Sequence, residues 1–120
     1  PDLVPVCAVL ACSAEGRTTI KGVKRLRIKE SDRIAALSVE LRKMGAEIKA
    51  SEDAIIIEGG TELHGSEMDS HGDHRIAMAC AVAALRAKGR SVIHGAECIS
   101  KSYPDFVRDL ILIGGDVLER

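Results

Sequence analysis

Two stretches of this chain, Leu3 to Ala14 and Asp73 to Ala87, are apolar on nearly every face of the helices they would form. A helix that is apolar all round must be covered on all sides. The strand-like runs between them behave differently: Thr19-Ile20-Lys21 and Glu47-Ile48-Lys49 alternate, which leaves one face of each strand in water. Together these patterns imply helices inside and sheets outside. That is the reverse of a doubly wound nucleotide-binding fold, and the chain has no G-x-G-x-x-G turn to argue for one.

The punctuation between these segments sets the element order. The first helix tolerates Pro5 in its first turn and stops at Glu15-Gly16, and a strand from Arg17 to Lys21 ends at Gly22. Ser31 is the expected cap of a helix in which Ile34, Leu37, Leu41 and Met44 recur at three- or four-residue spacing, with Gly45 as the stop. Ala46 to Ala50 and Ala54 to Glu58 read as paired strands around Ser51-Glu52-Asp53. After a less regular stretch to Met68 come a helix from Asp73 to Ala87, a strand from Ser91 to His94 ending at Gly95, a helix opening at Pro104 and a strand near Val117. The order strand, glycine, a lysine six or seven residues on, then helix occurs twice, offset by 73 residues at the strand. The expectation is an α/β (α+β) chain forming a single unit over 1–120, with an internal repeat of about 1–60 and 61–120.

Composition narrows the partners. Seventeen basic and eighteen acidic residues leave a formal charge of -1, so no global field draws the chain to nucleic acid or an anionic membrane. One Tyr, one Phe and no Trp give no stacking platform for single-stranded nucleic acid, and no nucleic-acid or membrane partner is expected. Cys7, Cys12, Cys80 and Cys98 form no C-x-x-C pair and read as buried, reduced thiols of a cytoplasmic chain. The sequence opens on Pro1-Asp2 rather than Met, which is read as a piece of something longer.

Charge is concentrated where helices begin. Lys29, Arg33, Arg75 and Lys101 all stand at or just before expected helix N-termini, where a cation is disfavoured by a few tenths to about 1 kcal/mol. Asp32 and Asp73 can cap those ends, so solvated capping clusters are one reading. Three helix starts of this kind in one small chain favour the other, an anion held jointly by cations and helix N-H groups. Glu30 and Asp2 are candidates for proton transfer as well as ordinary caps. His71 and His74 are three apart but lack a third ligand at metal-site spacing, so no metal is expected; His74 reads as orienting its neighbours beside Arg75. His64 and His94 read as ordinary surface or strand residues.

KESDR at 29–33, GDHRIAM at 72–78 and KSYPDF at 101–106, in this order and spacing, resemble the C-terminal portion of the 5-enolpyruvylshikimate-3-phosphate synthase family, and the resemblance covers essentially the whole chain. The family transfers the enolpyruvyl group of phosphoenolpyruvate to a hydroxyl of shikimate 3-phosphate, releases phosphate and uses no metal or organic cofactor. The resemblance implies inside-out βαβαββ repeat units with buried helices and solvent-facing sheets, forming part of one lobe of an enolpyruvyl transferase. It implies Arg33, Arg75 and Lys101 as ligands for phosphoenolpyruvate. Lys29, Asp2 and Arg25 would be contacts for shikimate 3-phosphate, with Asp2, Lys29 and Glu30 as catalytic groups.

At the position of Arg25 some family members carry Asn, which makes it the weakest of these assignments. The resemblance also implies a second, N-terminal lobe supplying further ligands, so the fragment alone is expected to be inactive. It further implies glyphosate as a competitor at the donor site. Two other readings remain open: the related transferase acting on UDP-N-acetylglucosamine, and a non-catalytic anion-binding module.

Overall fold

The computed structural model describes residues 4–29, 31–60 and 62–101; of Ser13, Ser100 and Lys101 it describes the backbone only. Asp2 and Glu30 lie outside the described residues, as do the expected helix at Pro104 and the strand near Val117. The chain runs through α1 (Val4–Ser13), β1 (Arg17–Lys21), a 3-10 helix η1 (Lys24–Ile28), α2 (Arg33–Lys43), β2 (Glu47–Ala50) and β3 (Ala54–Glu58). It continues through β4 (Glu67–Asp69), α3 (His74–Arg86), β5 (Val92–His94) and a second 3-10 helix η2 (Ala96–Lys101).

The three α-helices pack on one another, with the sheets laid against their outer sides. β3 is the central strand of an antiparallel sheet of order β1-β3-β2, pairing Thr19 with Ile56 and Ile48 with Ile57. β4 and β5 pair in parallel, with Met68 opposite Ile93. In β3 burial alternates, Ile55 and Ile57 being fully covered, as a sheet with one wet face requires. The structure is thus an α+β fold whose helices meet in the core and whose sheets face solvent, but α1 and α3 are not covered on every side as expected, since Leu10 and Leu85 are exposed.

α2 shows why these residues form this element. Ile34, Leu37, Leu41 and Met44 fall on one face and are at most 1% exposed. Burying each such side chain contributes about 1.5–3 kcal/mol, so this stripe, rather than any surface ion pair, fixes the helix in place. The helix ends where Gly45 takes φ +95, a left-handed conformation that costs glycine little. Its start differs from the expectation. Asp32, not Ser31, caps it, with Asp32 Oδ1 accepting from Ala35 N-H at 3.1 Å. Ser31 is engaged elsewhere: its hydroxyl donates to Asp73 Oδ2 at 2.8 Å.

Further differences arise from short elements and from packing. β4 has only 3 residues, and the 3-10 helices, of 5 and 6 residues, make no more than about two turns of three residues, too few repeats for a hydrophobic period to show. All four cysteines are free thiols, but Cys7 is exposed on α1 while Cys12, Cys80 and Cys98 are buried. An all-apolar helix does not announce which of its faces is covered. Gly59 allows a close approach at the end of α1: its N-H donates to Gly16 O at 2.7 Å, and a Cβ there would collide with the carbonyl of Ala14. The two strand ends flagged as repeats share a local geometry, since Gly22 at φ +73 precedes η1 and Gly95 at φ +74 precedes η2.

Candidate functional site

Asp73 joins the starts of two helices. It caps α3, with Oδ1 accepting from Arg75 N-H at 3.0 Å, while Oδ2 accepts from Arg33 Nε at 2.8 Å and from the Ser31 hydroxyl. Arg33 is the first residue of α2, and both partners are closed to solvent, with side-chain exposures of 4% for Arg33 and 0% for Asp73. Burial alone would push the Asp73 carboxyl up. The hydrogen bonds from Arg33, Ser31 and Arg75 N-H, with the Arg33 charge, outweigh it and hold the carboxyl below its ordinary range. One carboxylate therefore brings the positive ends of α2 and α3 together and fixes the plane of a guanidinium between them.

Lys29 stands at the exit of η1 in extended conformation, exposed, just ahead of α2. Its segment is anchored from one side by Arg27. Arg27 Nη1 donates to Asp32 Oδ2 at 2.8 Å, Nε to Glu52 O at 3.0 Å and Nη2 to Ser51 O at 2.6 Å. Asp53 Oδ1 accepts from Lys24 N-H at 2.8 Å, so the β2–β3 turn grips η1 at both ends. Arg25, exposed on η1, lines two open hollows, one of about 480 Å³ shared with Lys24, Arg27 and Ile28, the other shared with Val4, Ile20 and Lys21.

Of the residues expected in the site, Arg33 and Arg75 are brought to the joined helix starts, and His74 begins α3 beside them. Lys29 is placed four residues ahead of Arg33. The backbone of Lys101 closes η2, which packs on α3. Asp2 and Glu30 lie outside the described residues. The sequence reading missed the Arg33–Asp73 pair and the contribution of Ser31, partners 40 and 42 positions apart that no local period links. Among the described residues no group of three His, Cys, Asp or Glu side chains is arranged to hold a metal ion, and no helix is long and apolar enough to cross a membrane.

A family model described as EPSP synthase (3-phosphoshikimate 1-carboxyvinyltransferase) matches residues 1–110. The 3-phosphoshikimate 1-carboxyvinyltransferase of Clostridium acetobutylicum is 54% identical over 119 residues, covering 99% of this chain and 28% of that protein. The protein of the same name from Clostridioides difficile is 48% identical over 120 residues, again 28% of its length. Among solved structures, an EPSP synthase from Acinetobacter baumannii superposes with a TM-score of 0.86 at 40% identity, over 91% of this chain and 26% of that one. The enolpyruvyl transferase NikO from Streptomyces tendae gives a TM-score of 0.77 at 26% identity, over 96% of this chain and 25% of that one. The chain thus spans little more than a quarter of the length of the relatives it matches.

Proposed function

The chain belongs to the EPSP synthase family, and from that premise we propose that it carries part of the site at which an enolpyruvyl group passes from phosphoenolpyruvate to shikimate 3-phosphate with release of phosphate. The observation that carries this reading is the Asp73 carboxylate, which ties the starts of α2 and α3 together around Arg33 and Arg75. Both substrates are polyanions, and two helix N-termini with guanidinium groups are matched to such charge.

In this reading Arg33, Arg75 and Lys101 bind the phosphate and carboxylate of phosphoenolpyruvate. Lys29, Asp2 and Arg25 bind shikimate 3-phosphate. Protonation of the donor's methylene carbon makes the neighbouring carbon electrophilic, and the acceptor hydroxyl adds to it, losing its own proton. The tetrahedral ketal then expels phosphate by C-O cleavage as the methyl group loses a proton. Glu30 and Asp2 exchange these protons, and Lys29 stabilises charge at the reacting oxygens. Cations fixed in place before the reaction stabilise the redistributed charge without reorganising. No cofactor enters the scheme.

The remaining ligands come from the part of the enzyme that corresponds to the other three-quarters of the relatives, so this chain is one unit within a lobe. The matching left-handed glycines, Gly22 and Gly95, each followed by a 3-10 helix with a lysine at its exit, support an internal repeat of about 1–60 and 61–120. The test is phosphate release from the two substrates together. A full-length enzyme carrying this sequence in its matched segment should release phosphate only when both are present, and the 120-residue chain alone should not. A folded full-length enzyme that leaves shikimate 3-phosphate unchanged would overturn the reading in favour of another acceptor.

A further inference from the structure

Glu40 is only 1% exposed, yet it is charged and lies on the same face of α2 as Arg33, two turns further along. Its Oε1 accepts from the backbone N-H of Asp69 at 2.9 Å and from Lys43 Nζ at 2.9 Å, and its Oε2 accepts from His71 Nε2 at 2.8 Å. Lys43 belongs to α2 itself, so that bond links Glu40 to no other element. The other two reach across to the end of β4 and the turn that follows. The Cys80 thiol of α3 also lies within reach of the Glu40 charge, pushed up to about 12 by burial and then by that charge.

The turn that Glu40 grips is short and constrained. His71 takes φ +57, among the described residues the one non-glycine residue with positive φ. His71 N-H donates to Asp69 Oδ1 at 2.8 Å, and Asp73 N-H donates to Ser70 O at 3.0 Å. The turn ends at Asp73, the residue that orients Arg33 and caps α3. α2 therefore holds this turn at two points: Arg33 on Asp73 at its far end, and Glu40 on Asp69 and His71 at its near end. A carboxylate buried at such cost is retained where its partners satisfy it. Left-handed strain at a non-glycine residue persists only where surrounding contacts enforce it.

We propose that Glu40 and His71 are positioning residues for donor binding, fixing the β4–α3 turn so that Arg33 and Arg75 stand in register for phosphoenolpyruvate. This inference rests on the function proposed above and adds residues that need not touch substrate. Displacing the turn moves the helix start that carries Arg75 and the carboxylate that aims Arg33, while the machinery for shikimate 3-phosphate on η1 keeps its own anchor in the β2–β3 turn.

The experiment uses a full-length enzyme carrying this sequence in its matched segment, first shown to be active with both substrates. If the unaltered enzyme is inactive, the functional reading fails, and that failure is separate from this one. The informative variant is His71→Asn, because asparagine tolerates the left-handed backbone but is too short to reach Glu40. His71→Asn should raise KM for phosphoenolpyruvate roughly 10-fold while changing kcat and KM for shikimate 3-phosphate by less than about 2-fold. Glu40→Gln should shift the same constant in the same direction, and the double variant should fall well short of the product of the two effects. Lys43→Ala, which removes a bond internal to α2, should leave KM for phosphoenolpyruvate unchanged. An unchanged KM in a folded His71→Asn enzyme, or equal losses with Lys43→Ala, would overturn the proposal. If Glu40→Gln fails to fold, the His71→Asn and Lys43→Ala comparison still decides it.

Discussion

Arg33 Nε and Asp73 Oδ2 meet at 2.8 Å in an ion pair that bridges the first residue of one helix and the cap of another, with almost no exposure on either side. The two residues are 40 positions apart in sequence. Folding α2 and α3 against each other makes the contact, and the contact in turn fixes the geometry of the candidate anion site.

Removing Asp73 takes from a buried guanidinium the carboxylate that accepts from its Nε, and from α3 its cap. Asp73→Ala should destabilise the protein by about 3–5 kcal/mol, whereas Arg17→Ala, which loses the largely exposed pair with Glu58, should cost about 0–1 kcal/mol. Urea unfolding of the two variants measures the difference directly. Similar costs for both would contradict the burial argument.

Acid should find the same pair. Burial raises the Asp73 carboxyl, but its hydrogen bonds and the Arg33 charge together leave it below its unfolded value, and Glu40 is likewise held low against burial by Asp69 N-H, Lys43 and His71. A carboxyl depressed in the folded state contributes stability that is complete above its unfolded pKa, near 4, and is lost as pH falls through the folded value. Unfolding free energy should therefore decline on the acid side of about pH 4–5, and Asp73→Asn should flatten that decline. An acid limb of unchanged slope in the variant would count against it.

Arg27 spans two loops with three bonds, so its replacement should loosen η1 and the entry to α2. Arg27→Ala is expected to lower stability by about 1–2 kcal/mol, and Arg27→Lys to recover only part, because a lysine cannot reach three acceptors in fixed directions. Thermal unfolding of the pair, read beside wild type, separates charge from geometry; full recovery by lysine would show that charge alone matters.

Thiol chemistry tests the packing independently. Cys7 should react promptly with a water-soluble disulfide reagent, while Cys12 and Cys98 are buried and Cys80 is pushed up to about 12 mainly by burial, so those three should react only on unfolding. Fast labelling of Cys80 in the native protein would mean that α3 is not packed as described.

Periodicity and punctuation were enough to read the large elements. The stripe Ile34, Leu37, Leu41, Met44 and the stop at Gly45 located α2, and alternation located β1, β2 and β3, because each is long enough for burial to impose its period. Glu40 was not legible: in the run Val39-Glu40-Leu41-Arg42-Lys43 it reads as a surface acid paired with Lys43, and only the turn from β4 closing over it makes it buried. Asp73 was legible as a cap but not as the partner of Arg33. The charges at the helix starts were visible as a pattern. The roles of Lys29, Arg33, Arg75 and Lys101 came from resemblance, since no spacing rule assigns a substrate to a cation.

The most direct test compares the two ends of one helix. Arg75 lies in the first turn of α3 and Arg86 ends the helix, so KM for phosphoenolpyruvate should be measured for Arg75→Ala and Arg86→Ala in a full-length enzyme carrying this sequence. The predicted result is a rise of at least roughly 10-fold for Arg75→Ala and no change for Arg86→Ala, as expected if donor binding depends on the cation at the joined helix starts. Equal constants for both variants, in enzymes that fold and turn over, would contradict the assignment of this site to the donor.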